Sequence, residues 1–203
     1  MLAAIKRIRQ LVDRRHPPGH LPYRVEDIRT SAQEVTDVDR IRFFEFPGEE
    51  QNPVKGRFRR YEGELGCYVG CGTVVEIDYD STLNFCWTRF VLVKEMCHSL
   101  EKDRTVRVSD FGTVERLIEA FRVPDPSGAA FAFPPFGSEK MAEFCALELL
   151  CPIRDRIKIV ERRAETKLSD MQIATAFRIP VHYVTALFAP SYVHLMSRIL
   201  KAV

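Results

Sequence analysis

Between Trp87 and Glu101 the chain reads WTRFVLVKEMCHSLE, and at its centre Lys94, Glu95 and His98 are the residues best spaced to do chemistry. On a helix, positions four apart share a face, so Lys94 and His98 would point the same way with Glu95 beside them. The spacing is that of H-E-x-x-H, in which two imidazoles grip one zinc ion and the glutamate takes a proton from zinc-bound water. Here the first imidazole is missing. Lys94 stands in its place, and an ammonium group offers no lone pair to a cation until it loses its proton. A charged triplet on a solvated helix face spells the same letters, so the pattern needs a second feature to give it meaning.

That feature is the stretch from Glu139 to Pro152, EKMAEFCALELLCP. Glu139, Ala142, Glu143 and Ala146 form one helical stripe, and its small residues let another helix approach closely, which would carry the Glu139 carboxylate to the His98 face. An acidic residue in the first turn after Gly137-Ser138 would equally suit the helix dipole. Together the two stretches resemble the ImmA/IrrE family of zinc metallopeptidase domains, in which R-F-T-L-A-H-E-x-x-H is followed by E-x-x-A-x-x-F-A-x-x-L-L-x-P. Arg89, Phe90, Leu92, Glu95 and His98 match the first pattern, and Glu139, Ala142, Ala146, Leu149, Leu150 and Pro152 match the second. Lys94 departs from it at a histidine and Cys145 at a phenylalanine. The resemblance extends over Leu21 to Leu187, and its specific part is the two helices. It implies that His98 and Glu139 are metal ligands, if metal is bound, and that Glu95 is the catalytic base.

The remaining chain must position these residues. The motif helix itself shows two arcs at roughly 100° per residue: Phe90, Leu92, Val93, Met96, Cys97 and Leu100 on a core face, and Val91, Lys94, Glu95 and His98 on a chemical face. From Ile41 to Tyr79 the apolar period is two. Strands are expected at Ile41–Phe46, Val54–Tyr61 and Tyr68–Tyr79, with Pro47-Gly48 and Glu62-Gly63 as turns. Lys55, Arg57 and Arg59 fall on one strand face opposite Val54, Gly56 and Phe58, a pattern that suits a solvated surface or a protected edge. Residues Met1 to His16 form a basic amphipathic helix whose Leu2, Ile5, Ile8 and Val12 are expected to pack on the domain, and a second helix runs from Tyr23 to Val35.

Further on, a short strand is expected at Arg104–Val108 and a helix at Thr113–Val123. The segment from Pro124 to Gly137 holds four prolines and three phenylalanines, Phe131, Phe133 and Phe136. Its rings either close the core or border a cleft. After Pro152 a basic helix leads to Ser169 and Gln172, which make a capping box, and to Ile173, Phe177, Val184 and Leu187 at the spacing of two short helices joined by a tight turn. In DNA readers such a turn usually holds glycine; here it holds Arg178, and the following helix offers His182, Tyr183 and Thr185 but no Arg, Asn or Gln for bidentate base contacts. A last helix, Tyr192 to Leu200, is expected to pack Leu195 and Ile199. The expected fold class is α+β: a zincin-like metallopeptidase domain, implied by the resemblance, with helices on a small, mostly antiparallel sheet and a C-terminal helix-turn-helix-like pair. The expected division is a helix in 1–20, the domain in 21–152 and a helical region in 153–203.

Composition bounds the partners. The 203 residues are 46% apolar with a formal charge of +2, and residues 1–60 hold thirteen Lys or Arg against nine acids. This permits an acidic partner or nucleic acid without requiring one. Six cysteines without a leader peptide indicate reduced thiols and a cytoplasmic setting. Cys67 and Cys71 would lie roughly 13 Å apart on an extended strand, too far to share a metal unless Val69-Gly70 turns, and the other four read as core residues. No stretch is long enough to span a membrane.

Three functions follow. Lys94 can replace the metal, its ammonium pairing with Glu95 and Glu139; the chain is then a pseudoenzyme serving as a regulatory or protein-binding module, with no cofactor and a regulatory protein or peptide segment as partner. The resemblance also implies a zinc peptidase that cleaves a repressor, which needs a further ligand, such as a thiol, to rescue the site. A transcription factor using the C-terminal pair on DNA is the third, less favoured reading.

Overall fold

The computed structural model describes residues 1–16, 21–48, 54–101, 111–122 and 133–202. The strand expected at Arg104–Val108 and most of the proline-rich segment, Phe131 included, lie outside the described residues.

The most deeply buried strand takes the middle of the sheet. Strands β1 (Arg40–Phe46), β2 (Gly56–Gly66) and β3 (Gly70–Asp80) pair in the order β1-β3-β2. Val74, Val75 and Ile77 of β3 are fully buried. β2 and β3 form an antiparallel hairpin, whereas β1 pairs parallel to β3, Phe43 opposite Ile77. The sheet is thus mixed rather than mostly antiparallel: β3 has one free side once the hairpin closes, and β1 reaches it by a crossover from the far side. Glu62-Gly63 is not a turn, because β2 continues to Gly66. The chain reverses at Cys67–Val69, where the Val69 amide donates to the Gly66 carbonyl at 3.2 Å, and Gly70 adopts φ +84°, a left-handed value that favours glycine. A turn therefore separates the exposed Cys67 and Cys71, and the separation expected along an extended strand does not apply.

On its outer face the sheet is ionic. Lys55 pairs with Asp80 at 2.7 Å, Arg59 lies 3.1 Å from Asp78 and 3.3 Å from Glu76, and the Arg57 guanidinium stacks 4.7 Å from the Phe46 ring. The row lies on a solvated face, where Arg57 and Arg59 are exposed, and Lys55 and Arg59 are matched by acids on β3.

Helices cover the inner face. α1 (Leu2–Arg15) and α2 (Val25–Val35) precede the sheet; α3 (Phe85–Cys97), capped by the Asn84 side chain accepting from the Trp87 amide, continues as a 3-10 turn over His98–Leu100. Then come α4 (Phe111–Arg122), α5 (Pro134–Leu150), α6 (Ile153–Thr166), α7 (Asp170–Phe177), a 3-10 turn at Val181–Tyr183, α8 (Val184–Leu187) and α9 (Pro190–Ala202). The fold is α+β, and among the described residues no helix is long and apolar enough to cross a membrane. One core joins Ile5, Ile8 and Val12 of α1 with Ile77 of β3, Val93 and Met96 of α3, Ala146 and Leu150 of α5, and Ile173 and Phe177 of α7. α9 packs differently from expectation: Val193 and Met196 meet Ile153 of α6, while Leu195 and Ile199 are exposed.

Arginines join distant segments. Arg89 of α3 donates to the Tyr23 carbonyl at 2.8 Å and to the Arg178 carbonyl at 3.3 Å. Arg154 of α6 grips Asp13 of α1 through both carboxylate oxygens, at 2.5 and 2.6 Å. Glu148 of α5 pairs with the buried Arg156 of α6 and lies 3.7 Å from Arg9 of α1.

Because α1 contributes to the main core, Ile8→Ala is expected to cost about 2–5 kcal/mol in chemical denaturation. Lys6→Ala, on the exposed side, should stay within about 0.5 kcal/mol of the parent. An unchanged midpoint for Ile8→Ala would show that α1 does not support the core.

Candidate functional site

Helix α3 has no solvated chemical face. Val91, assigned to that face from the sequence, is buried, as are Glu95 and His98, because α3 is covered by the sheet on one side and by α2 and α5 on others. Lys94 and Glu95 sit in its last turn, His98 opens the 3-10 turn, and Glu101 follows directly. Glu139 arrives from α5. That helix begins at Pro134, with Phe133 as its N-cap, so Glu139 belongs to the second turn, and first-turn dipole stabilisation does not account for it. Ala142 and Ala146 are fully buried on the stripe that meets α3, as small residues at a close helix contact should be.

The side chains form one connected cluster. The Lys94 Nζ lies 2.9 Å from Glu95 Oε1 and 2.5 Å from Glu139 Oε2. His98 faces Glu101 Oε1 with Nδ1 at 3.1 Å and Glu139 Oε1 with Nε2 at 3.2 Å, and its Nε2 is 4.0 Å from Glu95 Oε2. The Ser138 hydroxyl donates to Glu101. Strand β2 closes the cluster from above: a Cβ added to Gly56 would lie 2.6 Å from Val91 Cγ1 and 2.8 Å from Glu95 Oε1, so only a residue without a side chain lets the strand rest on Glu95. The Phe58 ring stands 5.9 Å from the imidazole. Lys94, Glu95, His98 and Glu139 are thus brought together. Glu101, Ser138, Gly56 and Phe58 were not singled out from the sequence; the three-residue step from His98 to Glu101 was the available signal for one of them.

Burial works against charge on Lys94, but Glu95 and Glu139 outweigh it and raise the ammonium pKa above its ordinary value. Burial likewise opposes the charged form of His98, yet its bonds to Glu101 and Glu139 lift the imidazole to about 9. Burial would raise Glu139, but His98 and Lys94 prevail and hold its carboxyl at about 2. At neutral pH these three groups are charged.

This donor set does not fit the zinc ion that the sequence resemblance implies. His98 turns Nδ1 to Glu101 Oε1 and Nε2 to Glu139 Oε1, so a metal at either nitrogen would have to displace a proton and a carboxylate contact. Glu95 and Glu139 already share an ammonium group, and a dication beside it would be repelled. The thiols nearby offer no ready replacement: burial pushes Cys145 up to about 12 and Cys97 well above its usual value, so a metal would first have to displace their protons.

At the C-terminal pair the capping box of Ser169 and Gln172 is formed, and Arg178 adopts φ 52° where a glycine would be at ease. The side chains that might have read bases are engaged within the fold. His182 stacks on Trp87 at 5.0 Å, the Tyr183 and Phe90 rings are 4.9 Å apart, and Thr185 donates to Asp170 at 2.9 Å.

Compared with protein-family models, curated proteins and solved structures, the chain matches none.

The raised pKa of His98 fixes the sign of a pH effect. Its contribution is complete below the unfolded value of 6.5 and is lost as pH rises through about 9. Denaturation midpoints should fall across that window, by roughly 2 kcal/mol in stability, and His98→Gln should flatten the decline. A parent curve that is level over this range would contradict an imidazolium at His98.

Proposed function

We propose that this chain is a degenerate metallopeptidase-fold protein of ImmA/IrrE type that serves as a regulatory or protein-binding module and not as a peptidase. The reading rests on one observation: Glu95, the residue with the spacing of a general base, is buried and ion-paired to Lys94 at 2.9 Å. A general base needs a water molecule within hydrogen-bond reach and a pair of electrons free to take its proton. Glu95 is committed to an ammonium group and covered by the backbone of β2 at Gly56. The Arg89, Phe90 and Leu92 matches of the first motif support the fold part of the reading, and so does the meeting of Glu139 with the Lys94-to-His98 segment. The partner is a regulatory protein or a peptide segment, and the setting is the cytoplasm. The engagement of His182, Tyr183 and Thr185 within the fold favours this reading over DNA recognition by the C-terminal pair.

Hydrolysis of a fluorescent unfolded-protein substrate tests it. The parent chain and Glu95→Gln should give the same background rate with and without added zinc, and protein purified without chelator should carry far less than stoichiometric zinc. Lys94→His, which restores the first imidazole, should raise zinc content towards one per chain by elemental analysis. Substrate cleavage by the parent that Glu95→Gln abolishes would overturn the proposal.

A further inference from the structure

The contacts of Lys94 define the chemistry of the space it fills. Its Nζ is held by one oxygen from each of two carboxylates, at 2.9 and 2.5 Å, the distances of charge-assisted hydrogen bonds. Those carboxylates come from different helices, Glu95 from α3 and Glu139 from α5, so the ammonium group joins two elements that would otherwise repel at this point. Other described groups border the site. His98 Nε2 lies 3.2 Å from the second oxygen of Glu139, Gly56 lies against Glu95, and Val91 packs beneath it. The Lys94 and Glu139 side chains are 18% and 23% exposed, so among the described residues the cluster reaches the surface at these two.

We propose that Glu95 and Glu139, backed by His98 and roofed by β2, form a binding cage for a primary ammonium group, of which the tethered Lys94 is the resident occupant. The inference rests on reading Lys94 as a replacement cation and adds the ligand class that the site accepts. Selectivity follows from the donors. A primary ammonium has three N–H groups to distribute over carboxylate oxygens, whereas a quaternary ammonium has none. A divalent metal meets an imidazole whose two nitrogens already face the carboxylates of Glu101 and Glu139. Shortening the tether should therefore open a site for a free alkylammonium ion, and propylammonium has the length of the segment that Lys94→Ala removes.

Thermal unfolding of full-length Lys94→Ala supplies the test. Removing one partner from a buried pair should lower the midpoint by roughly 10 °C. Propylammonium chloride should recover at least about half of that loss by binding the folded state, and should leave the parent chain unaffected. Tetramethylammonium chloride, sodium chloride at equal ionic strength and neutral propanol should not help. The double variant Lys94→Ala with Glu139→Gln should be insensitive to the amine. Should Lys94→Ala not fold in plain buffer, recovery of native circular dichroism on dilution from denaturant into propylammonium is the readout.

Equal effects of propylammonium and tetramethylammonium, or an unchanged midpoint for Lys94→Ala, would remove the cage. Rescue by zinc without rescue by the amine would also overturn it. Failure of the amine to bind, with the parent still free of zinc and unable to cleave substrate, sinks the cage and leaves the pseudoenzyme reading intact. A zinc-loaded, Glu95-dependent peptidase would sink that reading instead.

Discussion

A charge withdrawn from water must find its counter-charge inside the protein, and the Lys94 ammonium between Glu95 and Glu139 meets this requirement where two helices converge. Neither carboxylate is placed by chance. Glu95 is buried because α3 is covered by the sheet and by α5, and Glu139 is brought in because Ala142 and Ala146 allow α5 to lie close. Two carboxylates meeting in this way would repel without a cation between them. With Lys94 in place, the same convergence becomes an attraction between helices, and His98 and Glu101 extend it into a chain of alternating charges that ends at Ser138. Breaking such a chain at one member costs about 3–5 kcal/mol, because the remaining charges stay buried without compensation.

Elsewhere the fold meets the same constraint with arginine. Arg89 spends its guanidinium on two backbone carbonyls, one before α2 and one at the left-handed Arg178 turn. Its presence in the motif region thus has a mechanical explanation that is independent of any catalysis. Arg154 with Asp13, and Arg156 with Glu148, bind α6 to elements far away in sequence. Planar guanidinium groups suit this task because they offer several fixed donors and remain charged when buried. Burial lowers the pKa of Arg156, opposed by Tyr192 and helped slightly by Arg9, but only to about 10.

A metal and an ammonium group answer the same electrostatic need with different chemistry. A metal would leave an open coordination position and acidify a bound water, which is the basis of hydrolysis at zinc. An ammonium group saturates the carboxylates through hydrogen bonds and activates nothing. At Lys94 the ammonium group thus joins α3 and α5 through charge-assisted hydrogen bonds to Glu95 and Glu139.

Much was legible in the sequence. The periodicity of Ile5, Ile8 and Val12 located the inner side of α1, Ser169 and Gln172 announced the start of α7, and the Lys94, Glu95, His98 and Glu139 spacing identified the residues that meet. Local rules suffice there, because capping and helical phase depend on neighbours within one or two turns. The tertiary structure decided the rest. Glu62-Gly63 has the letters of a turn, yet cross-strand pairing carries β2 on to Gly66; Val91 has the phase of an outward residue, yet β2 lies over it. Leu195 and Ile199 have core-forming side chains but remain exposed, since α6 meets α9 through Val193 and Met196. Above all, the sequence named Lys94, Glu95, His98 and Glu139 and the pairing open to Lys94, but only the packing of α5 and β2 on α3 brought in Glu101, Ser138 and Gly56 and buried the cluster. Long-range burial decides which charges lose their water, and that loss makes an ordinary lysine the cation of a closed site.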